Sequence, residues 1–290
     1  MTARRAGLRW ALLALASLGV LIGVYVAAVR TYTGQRVENA ALRGALQVNS
    51  EEVTAADDVL ATVTVTSLAI AVAVLAVIGW VRGGLLLACT AVAVVGAATV
   101  ATELLKRVIL PRPLLVDAPE YLHHNSFPSG HTTVAMAVAC ATLLVVSWRW
   151  RTPAMILVLA WTVGVGAYTV VARWHRLSDT VGADAIAVLM ASLGALVLLR
   201  SGLVRPVPAD SYARVRTVIV VLATLYAVGM GVAGVFLGVV GAGQDPGSTA
   251  DYNLYLAAQS LASVGSVLAV LAFWASWHRL ETASTATGSG

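Results

Sequence analysis

Apolar and polar positions alternate along this chain on the scale of membrane spans. Eight stretches are almost free of charge: about 10–29, 60–81, 85–105, 131–148, 154–172, 180–199, 217–240 and 254–276. An α-helix needs about twenty apolar residues to cross the hydrocarbon core of a bilayer. The pattern therefore predicts an all-α, polytopic membrane helical bundle. It divides into a six-helix core over 1–200, an inner linker over 201–216 holding Pro206 and Pro208, and two further spans over 217–277. The last two spans carry no polar cluster and read as an appendage. Residues 278–290 end in small polar side chains and are expected to be a disordered tail. The polar interval from Arg30 to Val59 predicts a short amphipathic helix around Glu38 to Val48, lying on the membrane surface or covering what lies beneath it. Arg4, Arg5 and Arg9 precede the first apolar run, which exceeds the usual signal-peptide core and predicts a retained span.

Composition agrees. The chain is 59% hydrophobic and 11% charged, with mean hydropathy +0.85. Soluble domains have about a quarter of their residues charged, so that class is excluded. The pI near 9.6 does not imply a nucleic-acid partner. The basic residues sit in short loops beside apolar runs, which is the positive-inside pattern. They favour a cytoplasmic N-terminus and C-terminus, with the loops after the third and fifth spans facing outward. The near absence of lysine points to a GC-rich bacterial genome, and hence to a bacterial plasma membrane. Cys89 and Cys140 lie within spans and imply no disulfide framework. The sequence does not define an oligomeric state.

The two outward loops hold the residues with chemistry. Of nineteen basic residues only one is lysine, Lys106, and Arg112 follows it between Pro111 and Pro113. An ammonium beside a bidentate guanidinium suits a phosphate; ordinary interface charges are the plain alternative. Next comes Pro128-Ser129-Gly130-His131, at the entry to the fourth span. A serine cap, a glycine and free amides make an anion site at a helix N-terminus, and His131 in the first turn is a proton donor. The plain alternative is a cap followed by an interfacial histidine. Last comes Arg173-Trp174-His175-Arg176-Leu177-Ser178-Asp179. His175 and Asp179 are four apart, so a carboxylate there fixes the ring's tautomer and leaves the other nitrogen as a nucleophile. An interfacial histidine and a dipole-complementing aspartate fit as well. His123 and His124 lack partners at metal-ligand spacing, so no metal site is expected.

Together these residues resemble the type 2 phosphatidic acid phosphatase family (PAP2), over about 60–200. The family pattern is Lys-x6-Arg-Pro, Pro-Ser-Gly-His and Ser-Arg-x5-His-x3-Asp. The middle motif matches fully. Lys106 and Arg112 are separated by five residues instead of six, and Thr169 stands where the third motif has arginine. The resemblance implies a six-helix core and a phosphohistidine reaction. His175 is the nucleophile, Asp179 orients it, and His131 is the acid and base. Lys106, Arg112, Ser129, Gly130 and Arg173 bind the phosphate, with Arg176 the alternative to Arg173. No metal or cofactor is implied. The expected partners are the bilayer and a lipid phosphate: phosphatidate, phosphatidylglycerophosphate or a polyprenyl phosphate or diphosphate. A lipid-linked phosphotransferase and a non-catalytic or transport protein are the rival readings.

Overall fold

The computed structural model describes residues 3–207 and 213–283. Its helices are α1 (Ala3–Val24), α2 (Tyr32–Gly44), α3 (Ser50–Ala61), α4 (Val65–Leu104), α5 (Gly130–Val145), α6 (Trp148–Val171), α7 (Leu177–Arg200), α8 (Ala213–Gly243) and α9 (Ser248–Ser276). The fold is an all-α polytopic bundle. Among the described residues, six helices are long and apolar enough to cross a membrane, and α5 is a shorter apolar helix.

α4 is two spans in one. A straight 40-residue helix would be about 60 Å long, twice the hydrocarbon thickness. The backbone breaks at Gly83 (φ −131°, ψ 15°) and Gly84 (φ 71°, ψ −168°). A Cβ on Gly79 would lie 2.9 Å from the Ala88 Cα, so the two arms fold back to back. They correspond to the spans predicted at 60–81 and 85–105. The first arm starts later than predicted because Thr64 caps it, its hydroxyl accepting from the Ser67 amide at 3.1 Å. Residues 60 and 61 instead end α3.

α5 is the central helix, with 12 of its 16 residues buried. α4, α6 and α7 pack around it, and α1 packs against α7. The main core joins Trp10, Phe127, Met136, Leu144, Met155, Phe273 and Trp277.

The last two helices do not both behave as an appendage. α8 packs chiefly on α9 and turns Val232, Val235, Phe236 and Val239 outward. α9 lies inside the bundle against α2, α6, α7 and α8. Ala257, Ala258 and Ala262 bring its backbone close, and the Ser266 hydroxyl donates to Asp184 Oδ2 at 2.8 Å. Small residues interspersed with serines are too bland a pattern to mark a core face.

The tail is also more ordered than expected. Leu280–Thr282 pairs antiparallel with Val204–Pro206, within the predicted linker. Arg151 is 1% exposed, and its guanidinium donates to the Leu280 carbonyl at 2.6 Å. It also lies over the rings of Trp148 and Trp277. Arg82 donates to the Val145 carbonyl and to the Thr282 hydroxyl. This clasp holds the chain through residue 283, and the remainder of the expected tail lies outside the described residues.

Gly84 has dihedrals that only glycine adopts without strain. Gly84→Ala is expected to destabilise the fold by on the order of 1–3 kcal/mol, read as a lower Tm in detergent. An unchanged Tm would show that the turn accommodates a side chain.

Candidate active site

The loops after α4 and α6 meet α2 at the end of the bundle opposite the β1–β2 clasp, where β1 is Val204–Pro206 and β2 is Leu280–Thr282. α6 ends in a turn in which the Thr169 carbonyl accepts the amides of Trp174 and His175 at 3.0 and 3.1 Å. Arg173 takes left-handed backbone there (φ 62°), and its side chain is exposed. The turn delivers His175 to the first residues of α7. Asp179 Oδ2 accepts the Arg176 amide at 2.8 Å and lies 3.3 Å from His175 Nδ1. A carboxylate only accepts, so Nδ1 carries the proton in the neutral ring and Nε2 keeps its lone pair.

The second cluster is tied directly to the third. The Ser129 amide donates to the Asp179 carbonyl at 2.9 Å. The Ser129 hydroxyl caps α5 by accepting from the Thr132 amide at 3.3 Å. The amides of Gly130 and His131 have no intrahelical acceptor and face the helix end. His131 is half-buried, edge-on to Trp174 with ring centroids 5.0 Å apart. It lies within electrostatic range of His175 and Lys106.

Lys106 lies in a π-helical turn, Leu105–Ile109, that closes the second arm of α4. Asn125 pins this turn, its amide donating to the carbonyls of Lys106 and Leu110 at 2.9 and 2.8 Å. Glu103 pairs with Arg107 at 2.7 Å, on the exposed side of the helix.

The arginines divide sharply. Arg107 is 77% exposed, whereas the Arg112 side chain is 2% exposed. Arg112 lies 3.7 Å from Glu38 Oε2, too long for a hydrogen bond, so Nη1 keeps an unused donor. Arg176 is equally buried. It donates to Ser126 Oγ at 2.8 Å, the Leu122 carbonyl at 2.7 Å and Asn39 Oδ1 at 3.3 Å. Thr169, where the resemblance leads one to expect an arginine, is buried with its hydroxyl on the Gly166 carbonyl.

The sequence did not single out Glu38 or Asn39. Both sit on the amphipathic helix expected around Glu38 to Val48, which is observed as α2 and covers the site. Glu38 Oε1 accepts the Ser178 amide at 3.0 Å. Burial, and then the nearby Asp179 charge, push the Glu38 carboxyl above its ordinary range; the Ser178 hydrogen bond and the two arginines oppose that. Burial, followed by the neighbouring Arg112, pulls the Arg176 guanidinium below its ordinary value. The one available signal was a buried-face position next to an asparagine, in a loop whose mixed charges looked self-neutralising. His123 and His124 turn their rings to the carbonyls of Ala118 and Tyr121 at 2.7 and 2.9 Å.

Residues 84–203 match the family model of the PAP2 superfamily. The match runs from the second arm of α4 to the residue before β1 and holds all three motif regions; α1–α3, β1, α8 and α9 lie outside it. No curated protein and no solved structure matches the chain.

Removing one partner of a buried ion pair leaves an uncompensated charge, at about 3–5 kcal/mol. Glu38→Ala is expected to lower the Tm accordingly, with Glu38→Gln retaining the Ser178 hydrogen bond and losing less. Equal Tm values for wild type and Glu38→Ala would remove Glu38 as the counter-charge.

Proposed function

With residues 84–203 belonging to the PAP2 superfamily, we propose that this protein is an integral-membrane lipid phosphatase. It hydrolyses a phosphomonoester or diphosphate of a lipid, at the outer face of the bacterial plasma membrane. The carrying observation is the buried His175–Asp179 pair, 3.3 Å apart, joined through the Ser129 amide to the helix that bears His131.

In this reading His175 Nε2 attacks phosphorus and the bond to the leaving oxygen breaks. His131 gives that oxygen its proton. Water then attacks the phosphohistidine, losing its proton to His131, and releases inorganic phosphate and free His175. Asp179 holds the ring and stabilises the positive charge it gains. Lys106 and the amides at Gly130 and His131 receive the equatorial oxygens, and Ser129 acts as the cap that fixes them. Arg112 brings its unused Nη1 donor. Positioning and fixed charge are the main demands of phosphoryl transfer, and these groups supply both.

Of the arginines left open by the sequence, Arg176 is favoured over Arg173. Arg176 is buried and adjoins Asp179, whereas Arg173 is exposed. Depth supports a lipid substrate. In this reading the N-terminus of α5, a helix about 24 Å long against a hydrocarbon core of about 30 Å, sits below the membrane surface. A headgroup reaches that depth while its chain stays in the bilayer. Phosphatidate, phosphatidylglycerophosphate and polyprenyl phosphates or diphosphates all meet this requirement.

Purified protein in detergent is expected to release phosphate from phosphatidate or undecaprenyl diphosphate in the presence of EDTA. His131→Ala should lower the rate by about 10²–10⁴-fold, the usual contribution of a general acid. His175→Ala should abolish it; full activity in that variant sinks the nucleophile assignment. Arg176→Ala should show a larger loss than Arg173→Ala, and the reverse order would return the role to Arg173.

A further inference from the structure

A cavity of about 140 Å³ borders His175 and leads away from it along helices that lie outside the family match. Its polar end is formed by Glu38, His175 and Arg176. The rest of its wall is almost wholly apolar and is shared by Ala41 of α2, Gly238 of α8 and Leu254 of α9. Both α8 and α9 are long and apolar enough to cross a membrane, and the cavity lies between the C-terminal turns of α8 and the N-terminal half of α9.

Water is a poor occupant. A buried water needs two to four polar partners, and the wall beyond Glu38 offers none. The volume is close to that of an engineered apolar cavity of about 150 Å³ that holds benzene. It therefore suits a segment of one hydrocarbon chain, with the remainder lying in the bilayer. His175 and Arg176 belong both to the cavity and to the candidate site, so a chain placed here lies beside the residue proposed as nucleophile. We infer that α2, α8 and α9 build a slot that receives one acyl or prenyl chain of the lipid phosphate. The slot's role as a substrate subsite rests on the phosphatase reading of His175.

Two measurements test it. The first is photo-crosslinking in detergent with phosphatidate carrying a diazirine in one acyl chain, beside a diacylglycerol probe with the same diazirine. Adducts are mapped by peptide mass spectrometry. Phosphatidate adducts at Ala41 and Leu254, in excess over those from diacylglycerol, are expected. Adducts confined to the outward face of α8, or equal labelling by both probes, would overturn the slot. The second compares turnover of long-chain phosphatidate with that of a water-soluble phosphomonoester. A Cβ on Gly238 would meet Ala257 Cβ at 3.6 Å, so larger side chains there project into the slot. Gly238→Trp is expected to lower the long-chain to soluble kcat/KM ratio at least about tenfold, the scale on which apolar pockets discriminate. Gly238→Leu should give a smaller fall. An unchanged ratio in both variants, each folded by thermal unfolding, counts against the slot. If wild type turns over neither substrate while the phosphatidate adducts appear as expected, the catalytic reading fails and the binding slot stands.

Discussion

The constraint on which the site depends is the placement of one buried carboxylate, that of Asp179. Its side chain accepts the Arg176 amide and sits against His175 Nδ1. Its own carbonyl accepts the Ser129 amide, which opens α5. One residue thus caps α7, orients the imidazole and sets the distance between two helix N-termini. Moving it would shift the His175 ring and the free amides at the start of α5 together. This sharing explains how two short motifs, separated by more than forty positions, act as a unit.

Burial of so much charge needs compensation, and α2 provides it. Arg112 and Arg176 would repel each other in a medium of low dielectric. Glu38 lies by Arg112, and Asn39 accepts from both guanidinium groups at 3.5 and 3.3 Å. The outer helix is therefore part of the electrostatic structure of the site. The same helix lines the apolar cavity, with Glu38 at its polar end and Ala41 one turn further on.

Local pattern carried much of this structure. The spans were legible because membrane-length apolar runs are a strong one-dimensional signal, and Gly83-Gly84 separated two of them. The three clusters were legible because helix-entry chemistry is local: a serine cap, a glycine, and a histidine four positions before an aspartate. Contacts between distant segments were not legible. Nothing near Glu38 indicates that Arg112 will approach from a loop more than seventy residues away. α9 escaped for a related reason. Its alanines and serines pack closely inside a bundle, but along the sequence they resemble any mild membrane helix. The clasp of Val204–Pro206 with Leu280–Thr282 is joined by Arg151, and nothing near Arg151 in the sequence indicates the Leu280 carbonyl more than a hundred residues away.

The hydrogen bond from Ser266 to Asp184 bears on how the molecule is made. Asp184 lies in α7, and its partner lies in the final helix. Synthesis from the N-terminus completes α7 before α9. For that interval an intramembrane carboxyl faces the lipid or the insertion machinery without its native donor, an arrangement bilayers tolerate poorly. Completion of the last helix therefore closes the structure in time as well as in space. A chain ending before Ser266 lacks the donor that Asp184 has in the complete fold.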